Sequence, residues 1–285
     1  MALNPPPSAR PSGRLDDATL SREVDAARAR GIGRDARAVI QWAHDLLGDG
    51  LMMTTSFQKS GMIILHMLRE IAPHLPVYFL DTGFHFPETL AFAERVRREW
   101  NVNLIFQRAK LFGEAFRAQH GKLYERDPDL CCHLNKVEPQ AELLERYQGW
   151  IAGVRRDQAD TREGAESLEI LEGGTLRVQP LAHWVRSDVE AYLRAHDIPV
   201  HPLFAQGYTS LGCQPCTRPC HDPGNERAGR WVGTAKTECG LHTFWKKLGS
   251  QEPPTASPSA GSVPGRHVDD DRDRAKLARA RTPVE

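Results

Sequence analysis

The 285-residue chain balances 37 Lys and Arg against 37 Asp and Glu, so its formal net charge is zero. With 40% hydrophobic and 26% charged residues it has the composition of a globular protein with a sizeable core. The balance argues against a nucleic-acid coat or an anionic-membrane binder, so neither partner is expected, and no apolar run nears the roughly 20 residues of a membrane span.

The N-terminus, MALNPPPSARPSGR, has no apolar core of a signal peptide, which points to a cytoplasmic address. Thiols stay reduced there, so the cysteines read as metal ligands or catalysts before they read as disulfides. Residues 1–14 and 250–285 are rich in Pro, Ser and charge and read as disordered tails around one domain over residues 15–249.

Within that domain, DARAVIQWAHDLLG has apolar residues at helical spacing with Gly48 at its stop. LMMTTSF reads as a strand and KSGMIILHMLREIA as the next helix. PVYFLDTG is a buried strand that ends in an Asp-Thr-Gly loop, and PETLAFAERVRREW is a helix with Pro87 at its start. VNLIFQ is a strand, NKVEPQAELLERY a helix interrupted by Pro139, and GWIAGV a strand again. Strands alternating with helices predict an α/β fold, a mostly parallel sheet with helices on both faces. Ligands of such sheets bind at the carboxyl ends of strands, here the loops after Phe57, Leu80 and Val154.

Those loops carry anion-binding chemistry. In TTSFQKSGM, Ser56, Ser60 and the intervening N–H groups suit an anion at a helix N-terminus, although ordinary capping by Ser60 is the alternative. Asp81 and Thr82 stand at the tip of the second strand, where a ligand contact or a plain strand-to-helix turn would serve. Arg155, Arg156 and Arg162 follow the fourth strand in GVRRDQADTRE, and guanidinium groups bind phosphate or sulfate in bidentate fashion. Together the three loops describe a pocket for an anionic nucleotide.

The six cysteines are Cys131, Cys132, Cys213, Cys216, Cys220 and Cys239. Cys131 and Cys132 are adjacent, with Cα atoms about 3.8 Å apart, short of the roughly 5.5 Å of a relaxed disulfide. They are free thiols or ligands. Cys213 and Cys216 form a CxxC pair, whose spacing lets two thiolates reach one metal. Four thiolates suit a structural zinc or an iron–sulfur cluster. Adjacent ligands are awkward around one tetrahedral ion and fit the separated corners of a cube better. Cys239, in KTECGLH, lies near His242, Lys236 and the arginines of ERAGRW, a setting that lowers a thiol's pKa and makes it a nucleophile. Cys220 has no partner at ligand spacing and reads as a spare thiol.

CCHLNK with GCQPC, LDTG, GVRRDQ, GRW and KTECGLH resembles the assimilatory adenylyl-sulfate reductases, within the wider phosphoadenylyl-sulfate reductase family and its adenine nucleotide alpha-hydrolase-like fold. The resemblance covers roughly residues 35–247 and is most specific where ECGLH joins the CC and CxxC pairs. It implies one [4Fe–4S] cluster on Cys131, Cys132, Cys213 and Cys216. It also implies thioredoxin-dependent reduction of adenylyl sulfate to sulfite and AMP, through an S-sulfocysteine on Cys239. Cys239, His242 and Lys136 are then the expected catalytic residues. Ser56, Ser60, Asp81, Thr82, Arg155, Arg156, Arg162, Arg227 and Arg230 are the expected substrate contacts. Thioredoxin must reach Cys239, so a mobile segment over about residues 230–249 is expected, and since relatives form dimers or tetramers a homo-oligomer stays open. The first loop departs from the family pattern, and Lys59 stands where a further phosphate contact would compensate. Three other readings remain: a phosphoadenylyl-sulfate or dual-substrate reductase, a zinc-stabilised nucleotide-binding protein without redox chemistry, and a tRNA sulfur-transfer enzyme. The last would want a basic face and an ATP-type loop, and neither is visible.

Overall fold

The computed structural model describes residues 13–220, 222 and 224–245. The expected C-terminal tail, all of the N-terminal one but Gly13 and Arg14, and residues 246–249 of the expected mobile segment lie outside them. A single six-stranded sheet runs in the order β3-β2-β1-β4-β6-β5. Its strands are β1 (Leu51–Thr54), β2 (Val77–Asp81), β3 (Leu104–Arg108), β4 (Gly149–Ile151), β5 (Leu168–Leu171) and β6 (Thr175–Val178). All neighbours are parallel except β5, which pairs antiparallel with β6. The expected α/β class is therefore the observed one.

Strand residues alternate between two cores, as a two-residue period requires. Leu51, Met53, Val77, Phe79 and Ile151 enter one core. Met52, Tyr78, Leu80 and Trp150 enter the other. The first core is roofed by α1 (Asp17–Ala29), α2 (Ala36–Leu47), α3 (Lys59–Ile71), α4 (Pro87–Glu99) and α9 (Arg186–Ala195). The second is covered by α8 (Glu138–Arg146), with Leu241 and Trp245 of the C-terminal stretch packed beside it. Short helices α5 (Glu114–His120), α6 (Leu123–Arg126) and α7 (Pro128–Cys132) fill the stretch before α8. Among the described residues no helix is long and apolar enough to cross a membrane.

Local chemistry sets the ends. The Asp35 carboxylate accepts from Ala38 N at 2.7 Å to cap α2, whose stop is Gly48 at φ +48°. Among the elements that went unread in the sequence, α1 and the β5–β6 hairpin carry clear local signals. The Asp16 carboxylate caps α1 by accepting from Thr19 N at 2.9 Å. Gly173-Gly174, at φ +85° and +70°, makes the turn between β5 and β6. The expected interruption at Pro139 takes the form of a register change and not a gap: helical backbone begins at Pro128, passes through a π-helical stretch over His133–Val137 immediately before the proline, and continues as α8.

Candidate active site

The chain order reverses between β1 and β4, and a cavity of about 460 Å³ opens at their carboxyl ends. All three loops picked out in the sequence line it: Thr54, Thr55, Ser56, Gln58, Lys59, Ser60 and Gly61 from the first, Leu80 and His85 from the second, Gly153, Arg155, Gln158 and Arg162 from the third. The opposite wall comes from the C-terminal third, with Phe204, Tyr208, Arg227, Arg230, Cys239 and His242 among its residues. The first loop turns sharply because Phe57 adopts φ +56°, its ring buried against Phe79 and Phe92. Gly153 lets the turn after β4 come close to the start of α3: a Cβ there would stand 3.3 Å from Gly61 N and from Ser60 Cβ.

The cations divide into two groups. Arg155, Arg162 and Arg227 are paired with carboxylates, the last two sharing one. Arg155 donates to Asp157 Oδ1 at 2.8 Å, to Glu226 Oε1 at 3.0 Å and to Ser60 Oγ at 2.9 Å. Ser60 is therefore an acceptor for Arg155 and not the helix cap. Arg162 grips Glu238 through Nε at 2.8 Å and Nη2 at 2.9 Å, and Arg227 Nη2 adds a third contact at 2.9 Å. Lys136 and Arg230, both buried, have no carboxylate partner among the described residues. Arg230 donates to the carbonyl of Leu211 at 2.9 Å and lies 4.5 Å from the centre of the Trp231 ring. It passes so close to Gly212 that a Cβ there would meet its Nη2 at 2.0 Å. The Nε atoms of Arg227 and Arg230 are buried without an acceptor.

Cys239 lines the same cavity and is half-buried. Burial pushes its thiol up. Lys136, the Leu241 N–H, Arg227 and Arg230 outweigh that and hold it below the ordinary thiol value. Lys136 in turn is held above the usual lysine range: burial works against its charge, but Cys213, Cys132 and Cys239 outweigh burial. His242 is held well below the usual histidine range, first by burial and then by Arg162, Arg177, Arg227 and Lys136, so its ring is neutral. That ring stacks on Trp150 at 5.5 Å with 6° between planes, and Trp150 is fixed by its Nε1 donating to Thr54 Oγ1 at 2.7 Å. His85 is pushed down to about 4, chiefly by burial, and its Nε2 donates to the carbonyl of Leu80.

Cys131, Cys132, Cys213 and Cys216 are neighbours beside this cavity, and all four are free thiols. Burial, then Cys132, Cys213 and Cys216, pushes Cys131 up to about 12. Burial, opposed by Lys136, pushes Cys132 up to about 11. Cys216 is raised by burial and by Cys213. Metal coordination replaces the proton that such buried thiols otherwise keep, and an all-sulfur donor set suits soft metals, so these residues fit an iron–sulfur cluster. Among the described residues no three or more His, Cys, Asp or Glu side chains close around a single metal ion.

Three expected contacts lie off the cavity. Asp81 pairs with Arg108 at 3.0 Å and accepts from Gly83 N. Thr82 shares a 3.3 Å hydrogen bond with Cys213 Sγ, on the cysteine side. Arg156 turns outward and donates to the carbonyl of Ala165 at 2.6 Å. Ser56 is at the mouth, accepting from Gln58 Nε2 at 3.0 Å. Lys59 is taken up by Glu190 and by the face of Phe204. Glu238, Trp150 and His85 were not singled out in the sequence. A signal existed for Glu238 alone: an acid beside a reactive thiol requires a cation to neutralise it.

A family model described as the phosphoadenosine phosphosulfate reductase domain matches residues 50–219. Adenosine 5'-phosphosulfate reductase of Halalkalibacterium halodurans is 39% identical over 223 residues, 77% of this chain and 95% of that protein. The protein of the same name from Streptomyces coelicolor is 39% identical over 209 residues, 73% of this chain and 88% of that one. A crystal structure of phosphoadenylyl-sulfate reductase from Candida auris, a phosphate complex, superimposes with a TM-score of 0.61 at 27% identity, covering 72% of this chain and 98% of that one.

Proposed function

Since this chain belongs to the family of the phosphoadenosine phosphosulfate reductase domain, we propose that it reduces adenylyl sulfate to sulfite and AMP in assimilatory sulfate reduction, with thioredoxin as reductant. One observation carries the reading: a thiol of lowered pKa, Cys239, faces a cavity together with two buried cations, Lys136 and Arg230, that have no carboxylate partner among the described residues. A thiolate that attacks an anion needs such uncompensated positive charge. The apolar wall of Val189, Phe204, Tyr208 and Leu211 suits an adenine ring, and the cationic end suits the phosphosulfate.

In the reaction, Cys239 Sγ attacks the sulfuryl sulfur. An S–S bond forms, the bond from sulfur to the phosphate oxygen breaks, and AMP leaves with that electron pair. Lys136 and Arg230 hold the charge that shifts to the leaving oxygen. Neutral His242, braced on Trp150, orients the sulfuryl group. A thioredoxin thiolate then attacks Cys239 Sγ, and sulfite leaves with two electrons. The second thioredoxin thiol breaks the mixed disulfide and returns the Cys239 thiolate, so thioredoxin ends as its disulfide. Cys131, Cys132, Cys213 and Cys216 would hold one [4Fe–4S] cluster, which when bound supplies a polarising centre beside Lys136 and ties α7 to the 213–216 turn. The electrons come from thioredoxin.

The test is to purify the protein without air, measure iron, sulfide and zinc, and assay adenylyl sulfate and phosphoadenylyl sulfate at equal concentration with thioredoxin. About four irons and four sulfides per chain, sulfite release favouring adenylyl sulfate, and its loss in Cys239→Ser are expected. One zinc and no sulfite release would overturn the reading.

A further inference from the structure

Glu238 stands immediately before the proposed nucleophile, and a free carboxylate there would repel an anionic substrate. It is not free. Arg162 Nε and Nη2, Arg227 Nη2 and Thr161 Oγ1 all donate to it, at 2.8, 2.9, 2.9 and 3.2 Å. Glu238 is only 8% exposed. Burial pushes its carboxyl up, yet Arg162, Arg227 and Thr161 hold it below the usual range. Arg162 and Thr161 belong to the loop after β4, which is braced by Arg162 Nη1 donating to Gln158 Oε1 at 2.7 Å. The carboxylate therefore fastens the C-terminal stretch to the carboxyl edge of the sheet.

On the other side of Cys239 the stretch is fastened by different chemistry. Leu241 and Trp245 pack against the second core, His242 lies on Trp150, and Arg177 Nη1 donates to the His242 carbonyl at 2.9 Å. Between the two fastenings Gly240, at φ +81°, turns the backbone beside Val137, one residue from Lys136.

Resting on the reading of Cys239 as nucleophile, we propose that Glu238 is a positioning residue. It is the ionic half of a two-point latch that holds Cys239 in the cavity for attack and releases it to the reductant. Release follows from competition for donors. The Cys239 side chain carries one negative charge as thiolate and one as S-sulfonate, but transfer of the SO3 group moves that charge outward onto three oxygens, strong acceptors beside the Glu238 carboxylate. Arg227, whose buried Nε lacks an acceptor, then has a second acceptor group to serve. The latch weakens when the thiol has reacted and re-forms when sulfite has left.

The experiment uses the full chain with its metal content verified, and Glu238→Gln, Arg162→Gln and the double variant. Cys239 accessibility is read from alkylation by a bulky maleimide without nucleotide, located by peptide mass mapping. Attack is read as the gain of one SO3 on Cys239 after a single addition of adenylyl sulfate without thioredoxin. Loss of charge-assisted hydrogen bonds should raise alkylation about tenfold and slow SO3 transfer about tenfold in either single variant. The double variant should do no more than either single one, because the two residues form one contact. Unchanged alkylation in Glu238→Gln, or single effects that multiply, would overturn the latch. Glu238→Asp keeps the charge and shortens the reach, and it decides the matter if Glu238→Gln lowers the melting temperature: faster alkylation upholds the latch and an unchanged rate overturns it. Absence of SO3 transfer in the unaltered protein would sink the nucleophile reading instead, and the alkylation rates would still judge the latch.

Discussion

Two sets of cations face the same cavity and differ in what surrounds them. Arg155, Arg162 and Arg227 are each held by buried or half-buried carboxylates. Lys136 and Arg230 are surrounded by sulfur, backbone carbonyl and an indole face. The first set spends its charge on its own neighbours and fixes the shape of the loops. The second keeps its charge for whatever enters. Residue type and spacing make the five look alike, and only their partners separate a scaffold from an anion site.

Removing one member of each set is the strongest way to break that comparison. Lys136→Ala should lower sulfite release about a hundredfold while iron content stays near that of the unaltered protein. Turnover that survives with unchanged iron content would remove Lys136 from the chemistry. Arg155→Ala leaves Asp157 without its counter-charge and Glu226 with Arg186 alone, 4.0 Å away, and should destabilise the fold by about 3 kcal/mol, read as a lowered denaturation midpoint. If it cost turnover and no stability, the two sets would not differ as described.

Arg230→Gln keeps a donor and removes the charge. It should lower kcat/KM for adenylyl sulfate about tenfold with little change in melting temperature, and a pure stability loss would move Arg230 into the scaffold.

Cys239 sharpens the contrast through pH. Its thiolate exists above its pKa, and that pKa is lowered, so alkylation by iodoacetamide should persist to more acid pH than for an ordinary thiol near 9.0. Replacing Lys136 by Met should shift the alkylation profile back toward higher pH. An unshifted profile would mean that the lowering comes from elsewhere, with the Leu241 N–H the next contributor. Glu238 runs the other way along the pH axis. Its carboxyl is depressed below 4.5, so the stability it lends is present above that value and fades as the pH falls through the lowered one.

The smallest effect belongs to an ion pair outside both sets. Arg108 is more than half exposed where it meets Asp81, so Arg108→Ala should cost about 0.5 kcal/mol or less and leave turnover unchanged. A loss of substrate affinity would bring Asp81 back to the cavity.

Much of the fold was legible because its signals are local. Alternating apolar runs marked β1 to β4 and α2, α3, α4 and α8, and the rule that such sheets bind ligands at the carboxyl ends of their strands pointed to the loops that line the cavity. α1 and the β5–β6 hairpin carried equally local signals in Asp16 and Gly173-Gly174, and went unread. The chemistry of the site was legible as residue types: a CC pair, a CxxC pair, arginines behind a strand, a cysteine near a histidine. What the sequence by itself determined is this inventory and its order along the chain, since propensity, period and spacing act within a few residues. What only the tertiary structure decided is who neutralises whom. Arg162 spends its charge on Glu238, 76 residues away, Thr82 turns to Cys213 and not to the cavity, and Lys136 lies beside Cys239 with no carboxylate partner among the described residues. Ion pairing and burial depend on distances that the folded sheet sets, and no local pattern in the chain encodes them.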